Sequence, residues 1–285
     1  MDYKNPNAIV STDWLSDNID NPSISIVDAS FYLPAANRDP KIEFYKCHIP
    51  KAVFFDINEI ADQSTDLPHM LPDPTQFSEQ MSNLGISNDT HVICYDTNGG
   101  QMAAMRAWWT FRVFGHNRVS VLNGGLPKWQ NEFLETSRLP TNPSKKIYRA
   151  KYNKHLVMNI EEIIKNIKTQ KYQIVDARSE GRYSGKEPEP RIGLRSGHIP
   201  NAINLPFENL FDPTNFMTIR SADEILAIIK KAGIDPLKPI ISSCGSGVTA
   251  APLVLALYLL GHSEAAIYDG SWTEWAGRTD TPINI

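Results

Sequence analysis

The stretch CHIPKAVFFD at residues 47–56 returns as GHIPNAINLPF at residues 197–207. Other pieces recur in the same order. IVDAS at residues 26–30 is answered by IVDAR at 174–178, and VLNGGLPKW at 121–129 by IYDGSWTEW at 267–275. Asp28 and Asp96 are 68 residues apart, and so are Asp176 and Cys244. Repetition in constant order and spacing reads as one unit used twice, and 285 residues suffice for two domains of ordinary size. The polar stretch LETSRLPTNPSKKIYRAKYNK at 134–154, with its prolines and lysines, reads as the connection between the copies. The expected units are residues 1–140 and 155–285, with a linker at about 141–154.

Within each copy, short β-branched runs alternate with helical patterns. SISIVDAS (23–30), HVICYDT (91–97), VSVLNGG (119–125), YQIVDAR (172–178), KPIISSC (238–244) and AAIYDGS (265–271) read as buried strands. Residues 76–84, 101–114, 159–166 and 221–232 read as helices. This alternation predicts an α/β fold with mainly parallel sheets flanked by helices, and active-site residues at the carboxyl ends of strands.

Composition narrows the function. A net charge of -4 and a pI near 6.0 argue against a nucleic-acid footprint. Three scattered cysteines, Cys47, Cys94 and Cys244, make neither a disulfide framework nor a zinc cluster and fit a reducing compartment. No apolar run reaches the length of a membrane span, and the first residues lack a signal-peptide pattern. The expectation is a cytoplasmic protein without a membrane partner.

Chemistry concentrates in SSCGSGVTAAPLVLALYLLG, residues 242–261, where a strand ends on Cys244 and a polar glycine loop leads into an apolar helix. A thiol with an unperturbed pKa near 8.5 is only about 3% ionised at pH 7, and lowering the pKa to about 6.5 would make roughly three-quarters of it thiolate. Gly245 and Gly247 let successive backbone N–H groups turn inward, Ser246 and Thr249 add hydroxyls, and the helix brings its positive end. A core cysteine needs none of this, so Cys244 reads as a nucleophile. Cys94, inside an apolar strand, reads as core, and Cys47 receives no role beyond that of a second redox thiol if the fold brings it close. Phosphate chemistry would need an arginine six positions after the cysteine, where this chain has Ala250. By spacing, Asp96 in the first copy stands in for Cys244, so only the second copy can carry thiol chemistry.

CGSGVTA, the paired HIP motifs, DGSWTEW and GRYSGKEPEPR together resemble the two-domain rhodanese-like sulfurtransferases, over nearly the whole chain. The resemblance implies two rhodanese-like domains, the first lacking the nucleophile, with the site between them. It implies transfer of the sulfur of 3-mercaptopyruvate to Cys244, release of pyruvate, and passage of the sulfur from the persulfide to a thiol, cyanide or thioredoxin-like acceptor. No organic cofactor and no metal are implied.

Residue by residue, the resemblance makes Arg182 and Arg191 the carboxylate-binding arginines, a task for which a guanidinium's two parallel donors suit. It makes Cys244, Ser246 and the first-copy His69 (in LPHMLP, 67–72) catalytic, with Gly245, Gly247, Val248 and Thr249 lining the substrate. The family's further acid falls on Asn58 in this chain, with Asp56 and Glu59 as neighbouring carboxylates. Arg178 reads as a loop brace, Arg195 as a cation without a task, and His48 and His198 as turn residues because both copies have them. The tryptophans read as packing.

Thiosulfate, a dianion, is the competing donor on the same fold, and a site built for it should carry a cation directly after the cysteine. The neutral Gly245, Ser246 and Gly247 favour mercaptopyruvate. A non-catalytic binding or redox-sensing module would have lost the thiol or the arginines, and a disulfide or arsenate reductase would need a resolving cysteine.

Overall fold

A computed structural model describes residues 1–33 and 36–285. The first copy runs β1 (Ile9–Val10), α1 (Thr12–Asp17), β2 (Ile24–Asp28), α2 (Pro40–Lys46), β3 (Val53–Phe54), α3 (Pro74–Asn83), β4 (His91–Tyr95), α4 (Ala103–Val113), β5 (Val119–Leu122) and α5 (Gly125–Asn131). The second runs β6 (Val157–Met158), α6 (Ile160–Thr169), β7 (Gln173–Asp176), α7 (Glu180–Tyr183), β8 (Ile203–Asn204), β9 (Phe211–Asp212) and β10 (Thr218–Ile219). It continues with α8 (Ala222–Lys231), β11 (Ile240–Ser243), α9 (Ala251–Leu259), β12 (Ala266–Tyr268) and α10 (Ser271–Gly277).

The two five-stranded sheets have matching orders, β1-β5-β4-β2-β3 and β6-β12-β11-β7-β8, and every pairing in them is parallel. Helices cover both faces, which is why the central strands β4 and β11 read as continuous apolar or small runs instead of alternating ones. All six expected strands are present. The expected helices are present with shifted ends: α3 starts at Pro74 because Asp73 caps it, and α6 runs on to Thr169. The short β1, β3, β6 and β8 carry too few residues to show a period.

The matched HIP turns do matched work. His48 Nδ1 lies 2.7 Å from the Phe44 carbonyl, His198 Nδ1 2.9 Å from that of Tyr183, and each histidine makes an isolated bridge, to Ser137 and to Asn284. The segment after α5 is pinned along the first copy. Lys146 N–H donates to Ser82 O at 3.0 Å, Tyr148 N–H to Ser82 Oγ at 3.1 Å, and Lys151 N–H to Phe114 O at 3.0 Å.

The apolar helix after the cysteine loop owes its composition to the duplication. Helix α9 packs against α4 of the first copy, with Trp108 edge-on to Tyr258 at 5.4 Å, so eight of its residues are buried on every side. One contiguous core includes both helices. Buried apolar area of this kind, at roughly 25 cal/mol per Å², holds the copies together. The N-terminus adds a strap, with Lys4 N–H donating to Leu259 O at 2.8 Å and Asn5 Nδ2 to Tyr258 O at 2.7 Å.

Candidate active site

Cys244 and Asp96 sit at equivalent carboxyl ends of the central strands β11 and β4. In the first copy Asp96 turns back into its own loop. Its Oδ1 accepts from the N–H of Asn98 at 2.8 Å and Gly100 at 2.7 Å, and its Oδ2 from those of Met102 at 3.4 Å and Ala104 at 3.0 Å. A carboxylate built into the chain thus fills a cradle of backbone donors. In the second copy no acceptor among the described residues engages the N–H groups of residues 245–250, and Cys244 has only a small sulfur to offer. A run of unengaged backbone donors ahead of a helix suits negative charge.

The loop is held from outside. Cys244 N–H donates to Ser271 Oγ at 3.2 Å, the Cys244 carbonyl accepts from Trp272 N–H at 2.9 Å, and the Gly245 carbonyl accepts from Thr273 at 2.9 Å (N–H) and 2.7 Å (Oγ1). Cys244 itself is 1% exposed.

Four of the expected residues converge here. Ser246 Oγ lies 3.1 Å from His69 Nδ1 and accepts from Arg191 Nη2 at 3.3 Å. A β-carbon on Gly245 would stand 3.1 Å from Arg182 Nη2 and 3.7 Å from Arg191 Nη1, so both guanidinium groups lie over the residue after the thiol. Burial pulls the Arg191 pKa below its ordinary value, and the neighbouring Cys244 sulfur is the largest opposing influence. The two arginines differ in commitment. Arg182 is bidentate to Glu189, with Nε to Oε1 at 3.2 Å and Nη2 to Oε2 at 2.6 Å, whereas Arg191 has no ion pair among the described residues.

Glu189, in the charged loop GRYSGKEPEPR, has a side chain only 2% exposed and pairs with Arg178 as well, at 2.7 Å. Arg178 also grips Asp176 at 2.5 Å and the Gly197 carbonyl at 2.8 Å and lies 4.2 Å over the Trp272 ring, which makes it the loop brace. Arg195 holds the carbonyls of Ala276 at 3.1 Å and Thr281 at 3.0 Å and so closes the C-terminal segment onto α10. The remaining loop residues Val248 and Thr249 follow Gly247 into α9, Val248 buried and Thr249 half-buried.

Neither neighbouring carboxylate completes a relay with His69. Its Nε2 meets Asn58 Oδ1 at 3.1 Å, while Asp56 Oδ1 accepts from Asn58 N–H at 2.9 Å and Glu59 N–H at 3.4 Å. With an amide oxygen at Nε2, that nitrogen carries the proton and Nδ1 accepts from the Ser246 hydroxyl. Burial first, then the charges of Arg106 and Arg191, push the His69 pKa down to about 3. The imidazole is therefore neutral at any pH above that. Unfolded, it would take up a proton below about pH 6.5, so its contribution to stability is whole above pH 6.5 and is lost as pH falls toward 3. His69→Gln is expected to lessen the loss of stability of the native chain between pH 7 and 4 by on the order of a few kcal/mol. Urea unfolding of both proteins at several pH values measures the difference, and parallel curves would mean that His69 titrates normally.

Two residues escaped the sequence reading. Arg106, on α4 of the first copy, donates from Nη2 to the His69 carbonyl at 2.5 Å and from Nη1 to the Gly247 carbonyl at 3.3 Å. Its Nη2 also lies 2.8 Å from Oδ1 of Asp269, an ionic contact made off the N–H axis, while Asp269 Oδ2 accepts from Leu71 N–H at 2.8 Å. Gly247, at φ +74°, must be glycine, because a β-carbon would stand 2.8 Å from Arg106 Nη1 and 3.0 Å from the Asp269 carbonyl. An arginine amid the apolar AAMRAWW and an aspartate where the first copy has Asn123 were the available signals.

Cys47 accepts from Gln130 of α5 at 3.1 Å and Cys94 is buried in β4; all three thiols are free. Among the described residues no group of His, Cys, Asp and Glu is disposed to hold a metal, and no helix is long and apolar enough to cross a membrane. A cavity of about 830 Å³ lined by Lys154, Tyr172, Lys238 and His262 opens at the amino ends of β11 and β12, and none of the candidate site residues lines it.

A duplicated parallel α/β unit, with one thiol at a strand end and unengaged N–H donors in the loop after it, has the build of a group-transfer enzyme. The rhodanese-like domain model matches residues 11–132 and 159–278. The chain is 42% identical to thiosulfate/3-mercaptopyruvate sulfurtransferase 1, mitochondrial, of Arabidopsis thaliana, over 96% of this chain and 77% of that protein. It is 42% identical to the thiosulfate sulfurtransferase of Rattus norvegicus, over 98% and 95% of the two chains. The crystal structure of SseA from Escherichia coli, described among 3-mercaptopyruvate sulfotransferases, superposes with a TM-score of 0.85 at 39% identity, over 93% of this chain and 98% of that one. The chain belongs to the rhodanese-like sulfurtransferases.

Proposed function

We propose that the chain takes sulfur from 3-mercaptopyruvate onto Cys244 and hands it to a thiol, cyanide or a thioredoxin-like acceptor, in the cytoplasm. Arg191, helped by Arg182, holds the carboxylate, and the Ser246 hydroxyl, which donates to neutral His69 before the donor binds, turns its proton to the ketone oxygen. The Cys244 thiolate attacks the donor's sulfur. An S–S bond forms and the C–S bond breaks, its electron pair passing to the methylene carbon as the enolate of pyruvate. That enolate takes one proton and leaves as pyruvate, while the donor's S–H hydrogen stays on the outer sulfur. The loop N–H groups of residues 245–250 receive the negative sulfur. An acceptor thiolate then attacks the outer sulfur and restores the Cys244 thiolate.

The observation that carries the choice of donor is the seating of Arg182 and Arg191 directly over Gly245, where a β-carbon would already be crowded at 3.1 Å. A loop cation of the kind suited to a dianion would have to move Arg182 aside, and the two guanidinium forks already there suit a planar carboxylate. The 42% identity to a protein named thiosulfate sulfurtransferase favours thiosulfate as the second reading. Steady-state turnover with each donor decides. The reading expects kcat/KM for mercaptopyruvate to exceed that for thiosulfate by about 10²-fold or more, the worth of one or two charged hydrogen bonds. A ratio near or below unity would overturn it.

A further inference from the structure

The duplication supplies an internal control for the contacts between copies. At the inactive end, Asn123 Oδ1 accepts from Ile219 N–H at 2.9 Å. At the cysteine end the matching residue Asp269, which like Asn123 directly follows the last strand of its sheet, accepts from Leu71 N–H at 2.8 Å. Leu71 and Ile219 each stand three residues ahead of the matched helices α3 and α8. A neutral amide therefore suffices to dock one copy on the other. Only at the cysteine end is the acceptor charged, and only there does it face a cation. Arg106 is the fourth residue of α4, and the fourth residue of α9 is Val254.

This buried pair, each residue 3% exposed, is an expensive way to hold two domains. It brackets one short segment: Arg106 takes the carbonyl of His69 and Asp269 the N–H of Leu71. His69 sits in the left-handed region, at φ +62°, which a non-glycine residue occupies only under constraint. The same guanidinium touches the Gly247 carbonyl, so one group fixes both the loop that carries the imidazole and the loop that carries the thiol.

We propose that Arg106 of the first copy and Asp269 of the second form a clamp that positions His69 against Ser246, so that the copy without a nucleophile supplies a working part of the active site. Both are positioning residues, and the proposal rests on the sulfur-transfer reading of that site.

The variant R106V/D269N gives the cysteine end the inactive end's own residues, which the chain already packs. It is expected to fold with kcat for mercaptopyruvate reduced about 10²-fold, the cost of an imidazole displaced by about 1 Å, and KM changed less than about threefold. In a His69→Ala background the same two substitutions should cost less than about threefold, because the clamp acts through His69. In R106V/D269A, which leaves Leu71 N–H without its acceptor, exchange of that amide in the full chain should quicken by about tenfold or more. R106K, which keeps the charge but has all its donors on one nitrogen where Arg106 reaches the His69 and Gly247 carbonyls from two, should lose part of kcat and serves if the double variant does not fold. Wild-type kcat, or an equal loss with and without His69, would overturn the clamp. If the unaltered chain transfers no sulfur from either donor, the functional reading falls instead, and Leu71 exchange alone decides the clamp: unchanged exchange would refute it.

Discussion

Cys244→Ser is expected to reduce sulfur transfer by on the order of 10⁵–10⁶, the loss seen when a sole nucleophile is removed, with the fold intact. The hydroxyl is close in size to the thiol, and the contacts that hold residue 244 run through its backbone, to Ser271 and Trp272. Circular dichroism and thermal unfolding should therefore match those of the native chain. Cys47 and Cys94 cannot substitute, since one faces Gln130 on the first copy and the other is sealed in β4. Burial also pushes the Cys94 thiol well above the ordinary range, so that its thiolate is not populated. Turnover retained in the Cys244 variant would remove the nucleophile from this account.

The second large effect separates the two arginines. Arg191→Met is expected to lower kcat/KM for mercaptopyruvate by about 10²–10³, the worth of two parallel charged hydrogen bonds at roughly 1.5–3 kcal/mol each with part offset by desolvation. Stability should hardly change, because Arg191 has no carboxylate partner among the described residues. Arg182→Met should behave in the opposite sense. It strips one of two cations from the buried Glu189, leaving Arg178 to hold that charge, and should cost about 1–3 kcal/mol of stability with a smaller kinetic effect. Kinetics with both donors and urea unfolding of both variants test the division. Equal kinetic losses would mean that Glu189 releases Arg182 when the donor binds.

The duplicated fold was legible because its signals are local. The HIP turns, the strand-end aspartates and the β-branched runs fix backbone conformation within a few residues, and the equal spacing aligned Asp96 with Cys244. The site was legible where a residue's role follows from its neighbours, as with the glycines around the thiol. What escaped depends on contacts far apart in sequence. The all-round apolar α9 announces a helix but not the helix α4 that buries it. Glu189 looks like a solvated charge until Arg178 and Arg182 are seen on either side. Arg106 and Asp269 come from different copies, and only the folded chain shows that they meet around His69. Asn58 was the reverse case, since the missing carboxylate could be read directly and the structure supplies the amide in its place.

The most direct test of a Cys244 persulfide is a single exposure to mercaptopyruvate without acceptor, followed by mass analysis of the intact chain and its peptides and by assay of pyruvate. The account expects one pyruvate released per chain and one added sulfur, located on Cys244 and removed by a thiol. Pyruvate released without sulfur on the chain, or sulfur found on Cys47 instead, would contradict it.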